Sequence, residues 1–195
     1  MCFILLKIRC NVKYHIYFYL KLRHIIFQII RASDRIFICK YKTKEETTMK
    51  INIRKMTESD REAVVDMMRT FYHSPAVWTN GSEEIYNNDI TACVSDNPYA
   101  EGFIFENETE ICGYGMIAKS FSTEFGKPCI WIEDLYLKEE YRGRGIGSSF
   151  FSYLEEKFPE TIMRLEVEED NTRAVAVYQK NGYETLPYME MKKEI

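Results

Sequence analysis

Histidine is scarce in this chain: three occur in 195 residues, and His73 alone lies after residue 48. That leaves little material for a histidine-based metal site or a Ser-His nucleophile pair, and a lone His beside a helix end reads as structural. Cysteine offers no substitute. The six Cys (Cys2, Cys10, Cys39, Cys93, Cys112, Cys129) form no C-x-x-C pair or other metal-ligand spacing, so neither zinc nor a disulfide framework is indicated, and reduced thiols in a cytoplasmic protein are expected. A long apolar run is missing too. Ile16 to Leu20 and Ile25 to Ile30 are apolar, but Lys21, Arg23 and His24 interrupt the stretch well short of the ~20 residues a bilayer helix needs. Arg31-Ala32-Ser33-Asp34 lacks a small-residue cleavage pattern, so no membrane association is expected, a weakly amphipathic basic surface segment being the alternative.

Charge divides the chain in two. Residues 1–48 hold ten Lys/Arg against three Asp/Glu (+7), and residues 49–195 hold sixteen against twenty-seven (−11), which together give the net −4. The acidic part repels nucleic-acid phosphate and anionic membrane, so its natural partners are cations, amines among them. Lys44-Glu45-Glu46 is encodable as a purine-rich ribosome-binding site with Thr47-Thr48 as spacer, and the domain pattern starts directly after Met49. Residues 1–48 are therefore expected to be non-native upstream translation or a disordered basic, apolar extension, and residues 49–195 a single domain.

Within that domain Ile51 and Ile53 alternate with polar neighbours as in a strand, and Thr57 followed by Asp60 resembles a capping box opening a helix with Ala63, Val64, Met67, Met68 and Phe71 on one face. Ser82, after the Asn80-Gly81 turn signal, caps a second helix bearing Ile85, Ile90 and Val94. Three strands follow, Gly102 to Glu106, Ile111 to Ser122 and Cys129 to Leu137, read as an antiparallel meander. A helix from about Gly145 to Phe158, a strand from Ile162 to Val167, a helix from Thr172 to Lys180 and a closing strand or hairpin from Tyr183 to Met191 complete an α/β mixture with a partly parallel sheet.

The chemistry concentrates where the third meander strand enters a glycine turn, in Glu133-Asp134-Leu135-Tyr136-Leu137 and then Tyr141-Arg142-Gly143-Arg144-Gly145-Ile146-Gly147-Ser148. Closely spaced Gly let backbone N–H groups approach a phosphate, the following helix adds its dipole, and Arg142 and Arg144 supply positive charge. A P-loop would need Gly-Lys followed by Ser or Thr, and a dinucleotide fingerprint would need Gly where Ser148 stands; neither fits.

With Arg142, Gly145 and Gly147 in the pattern R/Q-x-x-G-x-G/A, and with Asn171, Ala174, Tyr178, Gly182 and Tyr183 following in order, the chain resembles the GNAT N-acetyltransferases over roughly Lys50 to Lys192. The resemblance implies a splayed mixed sheet of about six to seven strands with about four helices, and acetyl-CoA as co-substrate without a metal. Leu135 and Leu137 would offer backbone groups to pantetheine, Gly143, Arg144, Gly145, Ile146, Gly147 and Ser148 would hold the pyrophosphate beside Arg142, and Asn171 would touch the pantetheine arm, cap the next helix, or both. A homodimer is an expectation of the resemblance only.

Transfer to an amine needs the neutral nucleophile, and a free alkylamine with a pKa near ~10.4 is mostly protonated at neutral pH, so a base is required. Glu133 is the candidate, acting through water; alternation would set it on one face with Leu135 and Leu137, among apolar side chains, the alternative being a solvent-facing strand position. Asp134 faces the other way and either binds a cationic group or belongs to the sheet exterior. Tyr178 matches the family's general acid for the departing thiolate, with core filling beside Val175 and Val177 as its alternative. The implied reaction is direct attack in a ternary complex. Ser122 to Lys127 followed by Ile130 to Leu135 is similar to the diamine and thialysine acetyltransferase branch, with Glu83, Glu84 and Asp89 as either a cation-friendly lip or a solvated helix face. Protein N-termini, aminoglycosides and other small amines stay open as acceptors, as do a non-catalytic acyl-CoA-binding module and a nucleotide-binding protein.

Overall fold

The computed structural model describes residues 50–194, so the reading of residues 1–48 lies outside the described residues. Strand β1 (Asn52–Lys55) leads through a 3₁₀ turn at Glu58–Asp60 into α1 (Arg61–Tyr72). The junction is fixed by Asp60, whose Oδ2 accepts from the Thr57 backbone N–H at 2.9 Å while Arg54 donates to both its oxygens at 2.8 Å. Helix α2 (Glu83–Val94) is capped as expected by Ser82, whose hydroxyl accepts from the Ile85 amide.

Then come β2 (Ala100–Glu106), β3 (Ile111–Ser122) and β4 (Lys127–Leu137), each antiparallel to its neighbour, followed by α3 (Ile146–Lys157), β5 (Ile162–Leu165) and α4 (Thr172–Lys180). The sheet order is β1-β2-β3-β4-β5, with β5 parallel to β4. The meander and all four helices fall where the periodicity puts them. Among the described residues the sheet has five strands rather than six or seven.

The strand expected over Tyr183 to Met191 accounts for much of the difference. No regular element forms there, and residues 184–191 are exposed. Pro187 withholds a ladder donor, and the side chains from Glu184 on bury no apolar face that would repay ordering the segment. A groove of about 1050 Å³ beside β5 runs between Trp131, Leu165, Tyr178 and the chain from Glu184 to Met191.

The sheet carries one apolar layer on each face. Met56, Val64, Met67, Met68, Tyr86, Ile90, Ile104, Tyr114, Met116 and Tyr136 pack with α1 and α2. On the other face Phe103, Phe105, Ile117, Ile130, Ile132, Ile146, Phe150, Phe151 and Leu154 pack with α3, joined at the edge by Leu135, Leu137, Tyr178 and Tyr183. Aromatic contacts tie the second layer together: Phe150 lies 4.9 Å from Phe105, and Phe151 lies 5.4 Å from Tyr183, ring centre to ring centre.

Candidate active site

A register shift against β3 and the end of the β5 ladder fall at the same point of β4. Against β3 the register runs Met116 with Asp134 and then Ile117 with Ile132, so Glu133 is an extra, unpaired residue, a β-bulge. Against β5 the last pair is Ile132 with Leu165. Beyond it β4 continues to Leu137 while the chain after β5 departs toward Asn171 and α4. Between the parted strands the backbone of Glu133 to Leu137 has no ladder partner on the β5 side among the described residues, which suits a ligand arm that bonds as a strand would.

The bulge corrects the expected facing of Glu133. Alternation would have placed it with Leu135 and Leu137 among apolar side chains; instead it is exposed, with Glu190 and Asp89 as its charged neighbours. Its pKa is still raised, first by the protein mass crowding it and then by those two carboxylates. Asp134 is buried at 5 % exposure, which rules out the sheet exterior. Tyr114 donates to its Oδ2 at 2.9 Å and Tyr72 to its Oδ1 at 3.2 Å. Burial lifts the Asp134 pKa to about 6, against the pull of the two tyrosine hydroxyls and with the push of Asp89 and Glu133.

The glycine turn opens α3 from two left-handed residues, Gly143 (φ +77°) and Gly145 (φ +83°), a conformation in which a side chain would strain the backbone. The first intrahelical bond runs from the Ser149 amide to the Gly145 carbonyl at 2.9 Å, so the Ile146, Gly147 and Ser148 amides have no helical acceptor and form the open end of the dipole. A Cβ on Gly147 would meet Leu135 Cδ2 at 3.8 Å, and one on Gly143 would meet the Arg173 guanidinium at 3.6 Å. The turn is thus bracketed by β4 on one side and the first turn of α4 on the other. Arg142 donates through Nε to the Leu137 carbonyl at 2.8 Å and sits 5.7 Å over the Tyr136 ring, while Arg144 sits 5.7 Å over the Tyr141 ring. Free amides, a helix end and three arginines suit a polyanionic pyrophosphate.

Asn171 caps α4, its side-chain oxygen accepting from the Ala174 amide at 3.2 Å. Tyr178 is half-buried against Phe151 and Tyr183, at 5.9 and 6.0 Å between ring centres. Burial raises its pKa, and its hydroxyl has no hydrogen-bond partner among the described residues. Leu135, Leu137, Ile146 and Tyr178 belong to one apolar layer, so the cradle, the strand beside it and the tyrosine share a wall.

Three residues that the sequence reading passed over or left open join this site. Tyr114 was read only as a strand residue, although its cross-strand partner Tyr136 stands two residues from Asp134. Tyr72, at the end of α1, donates to Asp134, a contact that no spacing in the sequence marks. Glu166, just past β5, has its pKa pushed up to about 7, first by burial and then by Glu190 and Glu133. No spacing in the sequence marks it, because the bend that brings it near Glu133 is tertiary.

The thialysine N-epsilon-acetyltransferase of Bos taurus is 37% identical over 83 residues, 41% of this chain and 48% of that protein. The chain thus spans about half the length of the thialysine acetyltransferases it matches. The spermine/spermidine N(1)-acetyltransferase of Bacillus subtilis (strain 168) is 21% identical over 145 residues, 70% of this chain and 89% of its own. Among solved structures, a possible acetyltransferase from Clostridium difficile 630 superposes with a TM-score of 0.64 at 21% identity, covering 74% of this chain and 97% of that one, a likeness of fold. The model of the acetyltransferase (GNAT) family matches residues 62–183, from the first turn of α1 to Tyr183 just past α4, and by that match the chain belongs to the GNAT family.

Proposed function

We propose that the protein transfers an acetyl group from acetyl-CoA to a primary amine, by direct attack with both substrates bound, and that the acceptor is a small cationic amine of the diamine or polyamine kind. The observation that carries this reading is the bulge at Glu133, which sets a carboxylate of raised pKa at the point where β4 and β5 part, beside the wall shared by the glycine turn and Tyr178.

Acetyl-CoA would supply the activated acyl thioester. The Ile146, Gly147 and Ser148 amides with Arg142, Arg144 and Arg173 would hold its pyrophosphate, and the unpaired edge of β4 would hold its pantetheine arm. Glu133 takes a proton from the incoming ammonium, through water, so that the neutral amine can attack; its raised pKa brings it nearer to the working pH of a base. Tyr178 gives its proton to the departing sulfur, for which burial, which keeps it protonated at neutral pH, is the required state. The carboxylates of Asp89, Glu133, Asp134, Glu166 and Glu190 make the acceptor side negative, which supports a cationic acceptor. The likenesses to thialysine and spermidine acetyltransferases support the same class.

The test is thiol release from acetyl-CoA by the full chain across polyamines, lysine analogues, aminoglycosides and N-terminal peptides. Amine-dependent release should fall by roughly 10²–10⁴-fold in Tyr178→Phe, the range for loss of a general acid. Binding of CoA without release for any amine would overturn the reading in favour of a non-catalytic acyl-CoA-binding module.

A further inference from the structure

Asp134 carries a buried carboxylate that pairs with no cation among the described residues. Its negative charge is held by two neutral donors alone. Tyr114, on β3, is wholly enclosed. Tyr72 differs: it is the last residue of α1, is half-buried, and directly precedes the irregular segment of residues 73–82. Its ring is held at 5.3 Å from Phe71 and 5.4 Å from Tyr86, centre to centre, so the hydroxyl has a fixed place. The groups facing Asp134 from the other elements are Asp89 and Cys93 of α2, Tyr114 of β3 and Glu133 of β4, none of them cationic.

A phenol has one proton to give. With that proton committed to Asp134 Oδ1 at 3.2 Å, the Tyr72 oxygen is left with lone pairs only, and what it meets next has to be a donor. A neutral hydroxyl on its own discriminates little, because it can turn to suit either kind of partner. Tied to an acid it reads one polarity. Polarised by a carboxylate and flanked by the Asp89 and Glu133 charges, it suits a charged N–H donor far better than an uncharged group.

We propose that Tyr72 is a specificity-determining residue, whose hydroxyl, oriented by Asp134, accepts a hydrogen bond from a second, non-reacting ammonium group of the acceptor and so selects diamines over monoamines. This rests on the amine-acceptor reading above. It adds a residue that neither the glycine-turn motif nor the Glu133-Asp134 pair specifies.

The experiment compares putrescine with n-butylamine, which matches it in length but lacks the second ammonium, in the full chain and in Tyr72→Phe. The readout is the ratio of the two kcat/KM values, which cancels any loss of folded protein. The ratio should favour putrescine in the parent and fall by roughly tenfold or more in the variant, the size of a lost hydrogen bond to a charged group. A purely structural role for Tyr72 would lower both values together and leave the ratio unchanged, overturning the proposal. If neither amine is acetylated, the same ratio is taken from calorimetric dissociation constants in the presence of CoA. A shifted binding ratio would then uphold the role of Tyr72 while the acetyltransferase reading fell, and an unshifted ratio, or no amine binding, would overturn it.

Discussion

Replacing Asp134 with Asn should make the protein more stable at neutral pH and give no gain in acid. The group titrates at about 6 in the folded protein against an ordinary 3.8, because burial penalises its charge more than the Tyr72 and Tyr114 hydroxyls reward it. A carboxyl whose folded pKa is raised favours folding most when protonated. Its contribution is fully present below the unfolded pKa and is lost as pH rises through the folded one. The interval of about two pH units, at about 1.36 kcal/mol each, makes ionised Asp134 a burden of up to about 3 kcal/mol at pH 7.5. Asn escapes it: its amide oxygen accepts from one tyrosine, and its amide nitrogen donates to the oxygen of the other. Urea denaturation of the full chain at pH 7.5 and at pH 4.5 gives the comparison. Asp134→Asn should gain roughly 1–2 kcal/mol at the higher pH, part of the ceiling going to imperfect replacement of the hydrogen bonds, and nothing at the lower. A variant less stable at both values would refute the reasoning, since it would mean that the tyrosines outweigh burial and that the carboxylate is a net support of the fold.

Two further perturbations test the phosphate cradle. Gly145→Ala should cost about 1–2 kcal/mol and weaken CoA binding, because φ of +83° strains any L side chain while the space around its Cβ is open, and Gly145→Asn, better tolerated there, should cost less; equal losses would point to sterics instead. Tyr141→Phe removes the hydroxyl that donates to Glu110 at 2.8 Å, leaving Glu110 with Lys138 alone, and loosens the ring that lies under Arg144. It should cost about 1 kcal/mol in thermal or urea unfolding and raise the KM for acetyl-CoA several-fold with kcat little changed, whereas a fall in kcat alone would deny Tyr141 a part in holding the turn.

Much of the fold could be read from the sequence because its signals are local. The Ser82 cap, the periodic face of α1 and the three meander strands each depend on spacing within a few residues, and they stand where expected. So does the glycine turn, whose open helix end follows from backbone geometry that Gly143 and Gly145 themselves impose. The segment after Tyr183 was misread for the converse reason. Its composition permits a strand, but a strand needs an edge to pair with and a face to bury, and no local pattern reports either. Glu166 was missed because it reaches Glu133 only through the way the chain leaves β5. Cys112 and Cys129 are buried in β3 and β4.

The bulge is where local reading and the site part company, and it explains why the acidic pair sits as it does. Ile130 and Ile132 face α3. Continued without interruption, the same alternation would turn Asp134 and Tyr136 toward Phe150 and Phe151, burying a carboxylate in an apolar layer with no hydroxyl to meet it, a cost of several kcal/mol that the group would avoid by staying protonated. One extra residue reverses the parity. Asp134 and Tyr136 turn to the α1 and α2 side, where Tyr72 and Tyr114 donate to the acid, and Leu135 and Leu137 take the α3 side, where Leu135 backs the glycine turn. Glu133, belonging to neither ladder, is left at the opening. On the proposed reading, a single insertion in the ladder separates the functions: apolar backing for the cofactor side, a donor-braced carboxylate for the amine side, and a proton acceptor between them.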